Sequence, residues 1–234
     1  MATYDEIKVA NRALYELGIG DLIAGTGDLS ASTSTSAAKE AAEFALPFVR
    51  DEVLGSSRWT FARAYATMVQ ADDGTGEVWA DEWDYAYTLP SDCLRAVRIV
   101  NGNGISTYSL GWVFDHSFSP WPGHSNPASE TKFVIRHHDG ARVLLSDVDS
   151  ADAKLEYIKQ LTDFGAWPDT AVSAVVLRLA YELSGPLMTT NGRDRGDLWN
   201  GYRVALQRAR ANDGDEQQPL EESDGPHLRA RGGH

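Results

Sequence analysis

Two adjacent histidines followed by an aspartate have the side-chain types that could bind a metal ion. His137, His138 and Asp139 stand at the end of an apolar, strand-like segment. Imidazole and carboxylate groups are zinc ligands, but neighbouring residues of a strand point to opposite faces of a sheet. Asp139 with Gly140 is also a pair typical of a tight two-residue hairpin turn. We therefore expect a hairpin end here rather than a metal site.

A group of carboxylates beside tryptophans suggests sugar chemistry. Asp81, Glu82 and Asp84 lie close in sequence to Trp79 and Trp83. Glycoside hydrolases use two carboxyl groups that flank the scissile bond. The same residues fit an exposed acidic loop that leads into a strand, and we favour that interpretation. The alternative is a carbohydrate-related function. The chain would then be a glycan hydrolase that uses these acids, or a carbohydrate-binding protein that uses some of the seven tryptophans.

No other pattern of residues forms a recognisable catalytic group. Gly25-Thr26-Gly27-Asp28 has the glycines of a phosphate-binding loop, but it follows a helix and lacks the Lys-Ser/Thr ending. No G-x-S-x-G nucleophile elbow occurs. The single cysteine, Cys93, excludes an internal disulfide and a cysteine-based zinc site, so we expect a buried thiol. We therefore predict a non-enzymatic protein without a metal or other cofactor.

Charge and length limit the remaining function classes. The 234 residues include 34 acidic and 21 basic side chains, a formal charge of −13, and 42% hydrophobic residues. This is enough apolar material for a core, and the excess of acids argues against a basic nucleic-acid groove. The N-terminus lacks the pattern of a signal peptide, and no segment approaches the roughly 20 apolar residues of a membrane span. We expect a soluble protein made in a cytoplasm, without a membrane partner.

A long apolar segment predicts a central helix, against which the other elements should pack. Trp167 to Thr190 is the longest apolar segment with helical spacing, because its valines and leucines recur at steps of three and four residues. Arg178 and Glu182 are four residues apart, can pair, and mark its polar side. Gly185-Pro186 is expected to end it. Such a helix needs neighbours on several sides.

The first helix is predicted close to the N-terminus. Thr3 and Glu6 form a capping box at its start, and Gly18 ends it. The Gly-, Ser- and Thr-rich residues from Gly18 to Ser36 then predict a long exposed loop.

Two more helices complete the helical part. One covers Ala37 to Leu54, with Pro47 expected to kink or break it. The last covers Asp197 to Ala211, with Trp199 on its apolar stripe.

The middle third of the chain changes to the period of two that is typical of β-strands. Tight turns at Asp139-Gly140 and at Asn101–Gly104 predict two hairpins. The strands predicted around these turns and elsewhere are Trp83–Leu89, Leu94–Val100, Ile105–Phe114, Phe133–Ile135, Val143–Leu145 and Leu155–Lys159.

The predicted fold class is α+β: an antiparallel helical bundle of about four helices with an inserted small antiparallel β-sheet sub-domain. We assign residues 1–65 to the N-terminal helical half and 66–162 to the β-rich insertion. Residues 163–211 form the C-terminal helical half, and 212–234 form a flexible acidic tail with almost no apolar side chains.

Four segments carry a resemblance to a known family. In order they are VANRALYELG, AAEFALPFVRDEVLGSSRWTFARAYATM, YAYTLPSDCLRAVRIV and KLEYIKQLTDFGAWPDTAVSAVVLRLAYELSGPLMT. The more specific parts are YxLPxDCLR at Tyr87 to Arg95, and RDEVL followed by RWTFARA at Arg50 to Ala64. Through these segments the chain from about Ile7 to Ala211 resembles the tail tubular protein A family, the head-to-tail adaptors of podovirus-like phages.

The resemblance implies a structural component of the virion neck. Copies would assemble as a ring, expected to be a dodecamer, beneath the portal protein, and would carry a downstream tail or nozzle protein. Double-stranded DNA would pass through the ring without specific binding, and an acidic chain agrees with this because it repels phosphate. The chain would be made in the host cytoplasm and reside in the virion neck.

Three arginines near the end of the last helix are our candidates for docking on the portal protein: Arg203, Arg208 and Arg210. The flexible tail that follows them is of a kind that orders on binding. The interpretation that these arginines only solvate a helix end stays open. We expect the helical faces to pack side by side in the ring, and the β-sheet to face the tail of the virion.

Overall fold

The computed structural model describes residues 4–72, 82–101, 106–108, 133–138, 140–149, 153–187 and 194–217. The α-helices in these ranges are α1 (Glu6–Glu16), α2 (Ala37–Gly55), α3 (Asp169–Leu187) and α4 (Arg195–Gln217). The strands are β1 (Arg63–Thr67), β2 (Val69–Asp72), β3 (Tyr85–Thr88), β4 (Cys93–Asn101), β5 (Ser106–Tyr108), β6 (Phe133–His138), β7 (Ala141–Ser146) and β8 (Ala153–Lys159). The predicted α+β class with about four helices is confirmed.

The chain divides into two compact units. The described parts of Met1–Leu46 and Trp167–His234 form a helical unit, and those of Pro47–Ala166 form a unit that contains the strands. The β-rich unit is therefore inserted in sequence between two segments of the helical one. No helix in the described ranges is long and apolar enough to cross a membrane.

Helix α3 is the centre of the helical unit and packs against α1 and α4. Its valines, leucines and alanines are buried as the spacing predicts: Ala171, Val172, Ala174, Val175, Val176, Leu179, Ala180 and Leu183. The predicted end of the helix is wrong, since α3 continues through Gly185 and Pro186 to Leu187. A proline this late in a helix removes a single hydrogen bond, which the packed apolar face outweighs.

Helix α1 begins at a different cap from the one predicted. Asp5 is the N-cap, and its Oδ1 accepts a hydrogen bond from the backbone N–H of Lys8 at 2.8 Å. Burial by itself would raise the pKa of Asp5, but the hydrogen bonds from Lys8 hold this pKa below its usual value. The capping box is wrong because Glu6 is engaged elsewhere: its Oε2 accepts from the backbone N–H of Leu29 at 3.0 Å. Thr3 lies outside the described residues.

The segment between α1 and α2 is tied to α1 rather than exposed throughout. Asn11 accepts from the N–H of Ile23 at 2.7 Å and donates to the carbonyl of Ile23 at 2.9 Å. The N–H of Ile7 donates to the carbonyl of Gly27 at 3.1 Å. Ile23 and Leu29 are buried as a result. The side-chain amide of Asn11 acts as a neighbouring strand would, by satisfying both backbone groups of one residue.

The β-rich unit contains two antiparallel four-stranded sheets. Their strand orders are β1-β8-β4-β5 and β2-β3-β7-β6. Side chains from both sheets share one apolar core, which includes Tyr87 and Leu144 of one sheet and Ile99, Leu155 and Tyr157 of the other. Because strands alternate their side chains, the two sheets present one face each to this core.

Both predicted hairpins are present. Strands β6 and β7 pair as far as His138 opposite Ala141, and Asp139 of the predicted turn lies outside the described residues. Gly140 has a φ of 79°, in the left-handed region that suits glycine. Strands β4 and β5 pair from Arg98 opposite Tyr108 to Val100 opposite Ser106.

The sequence pattern does not predict strands β1 and β2, because its period of two becomes recognisable only after these residues. In β1 the residues that pack on the core are Ala64 and Ala66, whereas Tyr65 is 55% exposed. Alanine has a low preference for strands and a weak apolar signal. The partner strand β8 decides the conformation of β1, through an antiparallel ladder from Arg63 to Thr67.

Two helices continue past the residues that were expected to interrupt or end them. Helix α2 is continuous through Pro47, so Pro47 does not break the helix, and the alternative of a kink stays a prediction. Helix α4 continues to Gln217, beyond the predicted end at Ala211, and its Asp213 is buried. The first residues of the predicted acidic tail are therefore helical, and residues 218–234 lie outside the described ranges.

A buried ion-pair group connects three strands of one sheet. Glu156 on β8 is only 2% exposed. Its Oε2 is 2.5 Å from Nε of Arg98 on β4, and its Oε1 is 3.1 Å from Nε of Arg63 on β1. A buried carboxylate is costly unless it is paired, so the two arginines make this position tolerable.

We expect Asn11→Ala to lower the free energy of unfolding by about 2 kcal/mol, because both backbone groups of Ile23 lose their partner. Urea denaturation followed by circular dichroism measures this. Arg12→Ala, at the next and exposed position, is the control and should change stability by less than about 0.5 kcal/mol. Equal losses in the two variants would contradict the anchoring role of Asn11.

Glu156→Gln should cost about 3 kcal/mol of unfolding free energy, because two partly buried guanidinium groups lose their counter-charge. The control is Glu82→Gln, which breaks a pair with Arg136 whose side chains are 61% and 43% exposed. The control should lose less than about 1 kcal/mol. A Glu156 variant as stable as the wild type would show that the buried charge does not support the sheet.

Candidate functional site

Helix α4 carries the three arginines that were predicted to form one docking site. Arg203, Arg208 and Arg210 are all exposed. An α-helix turns about 100° per residue, so Arg203 and Arg210 lie within about 20° of each other around the axis. Arg208 lies about 140° from Arg203. The helix therefore brings two of the three arginines to one side and places the third on another.

The apolar side of α4 holds the helix against α3. Leu198, Tyr202 and Ala209 are buried on this side, and α4 packs against α3. Val204, on the side away from them, is 65% exposed. Arg203, Arg208 and Arg210 are consequently outside the packed side of α4, whereas Asp213 is buried.

An arginine surrounded by aromatic rings connects α3 with α4. The guanidinium carbon of Arg178 lies 5.4 Å from the ring centroid of Tyr181, 5.6 Å from that of Trp199 and 5.9 Å from that of Tyr202. Arg178 also pairs with Glu182 one turn later. Each cation–π contact of this kind stabilises by about 0.5–1 kcal/mol at an exposed site and by more when desolvated. Arg178 is only 13% exposed, so it is part of the helix packing rather than of a polar face.

The outer edge of this cluster continues into the predicted arginines. Trp199 is 38% exposed, although its stripe was predicted to be apolar and packed. Trp199, Arg203 and Arg210 follow one another at steps of four and seven residues, so they lie along one side of α4, which we name the α4 strip. Tryptophan and arginine are the residue types most enriched at the energetic centres of protein interfaces. Their spacing was visible in the sequence, but the exposure of Trp199 was not.

The acidic candidates make structural contacts where they are described. Glu82 Oε2 lies 2.9 Å from Nη2 of Arg136, and the N–H of Asp84 donates to Asp147 at 3.4 Å. Asp81 and Trp79 lie outside the described residues. The structure therefore explains Glu82 as the partner of an arginine on β6.

The tryptophans of the described ranges differ in their environments. Trp59 is fully buried and donates from Nε1 to the carbonyl of Val53 at 2.8 Å. Trp167 is also buried, and Trp83 packs on the apolar group of Ala86, Val143 and Leu145. Trp199 is therefore the most exposed large aromatic ring among them.

The remaining motifs are accounted for by turns and ladders. His137 is exposed and lies opposite Arg142 in the β6–β7 ladder, while Asp139 and the side chain of His138 lie outside the described residues. Gly25 and Gly27 have φ values of 111° and 95° and turn the chain towards α1. Within the described ranges, no group of three or more His, Cys, Asp or Glu side chains is arranged to hold a metal ion.

Cys93 and Tyr157 form the polar edge of the β-sheet core together with Asp92. Tyr157 donates from its hydroxyl to Asp92 Oδ1 at 3.1 Å. Burial raises the pKa of Tyr157 to about 12, and the hydrogen bond to Asp92 acts in the same direction. Burial likewise raises the pKa of the Cys93 thiol to about 11. Both groups are neutral at pH 7, so the cysteine is not an activated nucleophile.

No protein-family model matches the chain, and no curated protein matches it significantly. The function is therefore argued from the residues and their arrangement.

The raised pKa values predict a loss of stability at alkaline pH. Both pKa values are higher in the folded than in the unfolded chain, so their stabilising effect is complete below about pH 9 and is lost as pH rises towards 11 and 12. Urea midpoints of the wild type should fall more between pH 9 and 11 than those of a Cys93→Ala, Tyr157→Phe double variant. Parallel pH profiles would contradict this assignment.

Proposed function

We propose that this chain is a structural head-to-tail adaptor of a tailed bacteriophage. The observation that supports this most is that the two segments with the most specific family resemblance meet in the β-rich unit. Arg95, in the segment YTLPSDCLR, donates from Nη1 to the carbonyl of Gly55 at 3.2 Å. Gly55 directly follows RDEVL, and the buried Trp59 of RWTFARA donates back to Val53 of the same helix. The residues that carry the resemblance thus serve the framework, as is expected of a family defined by architecture.

The assembly we propose is a ring of copies, expected to be a dodecamer, beneath the portal protein at the virion neck. The ring extends the DNA channel and carries the downstream tail or nozzle protein. A formal charge of −13 per copy makes an assembly that repels phosphate, which favours sliding of double-stranded DNA over binding. The chain is made in the host cytoplasm and incorporated into the virion.

The α4 strip is our proposed contact with the portal protein. Arg203 and Arg210 offer two positive charges on the side that also exposes Trp199. A partly exposed tryptophan followed by two arginines on the same helix side combines apolar area with hydrogen-bond donors, the composition of an interface centre. Arg208 lies on a different side of α4 from this strip. We therefore propose that it makes a smaller, peripheral contribution to portal docking.

Charge reversal of the α4 strip tests the docking contact. We expect Arg203→Glu, Arg210→Glu to weaken binding to the cognate portal protein by at least about tenfold, because both charges lie on the contact side. Surface plasmon resonance or a quantitative pull-down measures this. Arg208→Glu is the matched control on the same helix and should weaken binding by about threefold or less. Unchanged binding of the double variant would refute docking through the α4 strip.

The adaptor function has a separate test that does not depend on particular residues. Negative-stain images of the wild-type chain mixed with portal rings should show added density on one end of the portal. A wild-type chain that forms no complex with the portal ring at micromolar concentrations would contradict the proposed function.

A further inference from the structure

An exposed arginine at the start of helix α4 lies one turn before Trp199. The guanidinium carbon of this residue, Arg195, is 4.4 Å from the ring centroid of Tyr181 on α3. A guanidinium group that stacks on an aromatic ring through one face keeps the N–H groups at its edge available as donors. Arg195 is therefore positioned by Tyr181 while it stays accessible to a partner.

Arg195 belongs to a regular series of side chains on α4. Arg195, Trp199 and Arg203 follow one another at steps of four residues, so they lie within about 80° of each other around the helix. The two arginines are then about 12 Å apart along the axis, with the tryptophan halfway between them. We name these three residues the α4 triplet. It shares Trp199 and Arg203 with the α4 strip and extends the strip by one turn towards the start of the helix.

The ring of Trp199 is held in place by the groups behind it. Its centroid lies 5.2 Å from that of Tyr181 and 5.4 Å from that of Tyr202. The guanidinium carbon of Arg178 lies 5.6 Å from the same ring, yet Trp199 stays 38% exposed. A side chain that is already ordered loses little conformational entropy when a partner covers it. Trp199 is therefore suited to be the anchor of a contact.

The acids closest in sequence to the α4 triplet do not remove its positive charge. Asp194 is engaged at the start of α4, where its Oδ1 accepts a hydrogen bond from the backbone N–H of Gly196 at 3.4 Å. It offsets part of the charge of Arg195. Asp197 lies about 160° from Trp199 around the axis, on another side of the helix.

The charges of α3 beside the α4 triplet cancel each other, because Arg178 pairs with Glu182. Within the part of the chain that the structure describes, neither Arg195 nor Arg203 forms an ion pair. Two arginines on either side of an exposed indole, in a chain with a formal charge of −13, form a local site for negative charge. Charge complementarity therefore favours an acidic partner.

We propose that the α4 triplet binds an acidic protein segment, which places one apolar side chain on Trp199 and a carboxylate beside each of Arg195 and Arg203. A carboxylate accepts two parallel hydrogen bonds from the edge of a guanidinium group. On a helical segment the matching pattern is an acid, an apolar residue and an acid at successive steps of four residues, because both helices rise 1.5 Å per residue. The inference rests on the proposed function for one point, that this segment belongs to the portal protein.

Synthetic peptides test the α4 triplet without the portal protein. The probe is a fluorescein-labelled, alanine-based helical peptide with one leucine and a glutamate four residues to each side of it. Fluorescence anisotropy with the full chain should give a Kd below about 300 μM. Exchange of both glutamates for glutamine, or of the leucine for alanine, should raise the Kd at least about fivefold, because each removes one half of the recognition.

Variants of the chain assign this binding to the α4 triplet. Arg195→Gln should raise the Kd of the glutamate peptide at least about fivefold and that of the glutamine peptide less than about twofold. Arg208→Gln removes the same charge from another side of α4 and should change either Kd less than about twofold. Trp199→Ala should weaken the leucine peptide more than the alanine peptide. Circular dichroism of each variant checks that the helices are retained.

Binding to the portal protein separates this inference from the adaptor function. Arg195→Gln should weaken binding to the cognate portal protein at least about fivefold, and Arg208→Gln less than about twofold. If the peptides bind as expected but the wild type forms no complex with portal rings, the α4 triplet stands and the adaptor function fails. If the wild type binds the portal and Arg195→Gln binds it equally well, the adaptor function stands and the inference fails.

Three further outcomes would overturn the inference. They are a wild-type chain that does not bind the glutamate peptide, a wild-type chain that binds the glutamate and glutamine peptides equally, and an Arg195→Gln variant that keeps the full preference for glutamate. Self-association of the wild type that Trp199→Ala abolishes would also overturn it, because the occupant of the α4 triplet would then be a second copy.

Discussion

Burial of helix α3 is the constraint on which the rest of the helical unit depends. Its valines, leucines and alanines cover most of its circumference, and removing this surface from water is the main stabilising contribution available to the unit. Helices α1 and α4 supply the cover, so each must turn its apolar side inwards. Their polar and aromatic outer sides are then the surfaces left for other molecules.

The β-rich unit is also held together by buried groups. Two sheets share an apolar core, and one sheet is fixed by a buried glutamate between arginines on neighbouring strands. This buried charge favours one strand register. A shifted register would separate Glu156 from Arg63 and Arg98 and leave the carboxylate unpaired. The polar groups that resemble reactive ones, such as Cys93 and Tyr157, are likewise held neutral by burial.

In the described ranges, the arginines and aromatic rings that could bind a partner lie on the surface. The arginines of α4 extend from a cation–π cluster whose exposed edge is Trp199. Helix α1 exposes Tyr15, and helix α2 exposes Phe44 and Phe48. For a strongly acidic chain, local basic and aromatic surfaces are where another acidic copy or partner can bind without repulsion. This is the physical basis on which we propose a component of an assembly rather than a catalyst.

By itself the sequence determined the α+β class, the buried face of α3, the Arg178–Glu182 pair and the β6–β7 hairpin, because each depends on local spacing. Tertiary structure decided what local spacing does not encode. Ala64 and Ala66 lie in a strand because β8 pairs with them, and α2 and α3 continue through Pro47 and Pro186. The docking of Ile23 on Asn11 and the exposure of Trp199 depend on residues distant in sequence. The spacing of α4 placed its arginines outside the apolar side, but only packing against α3 decided how far Trp199 is exposed.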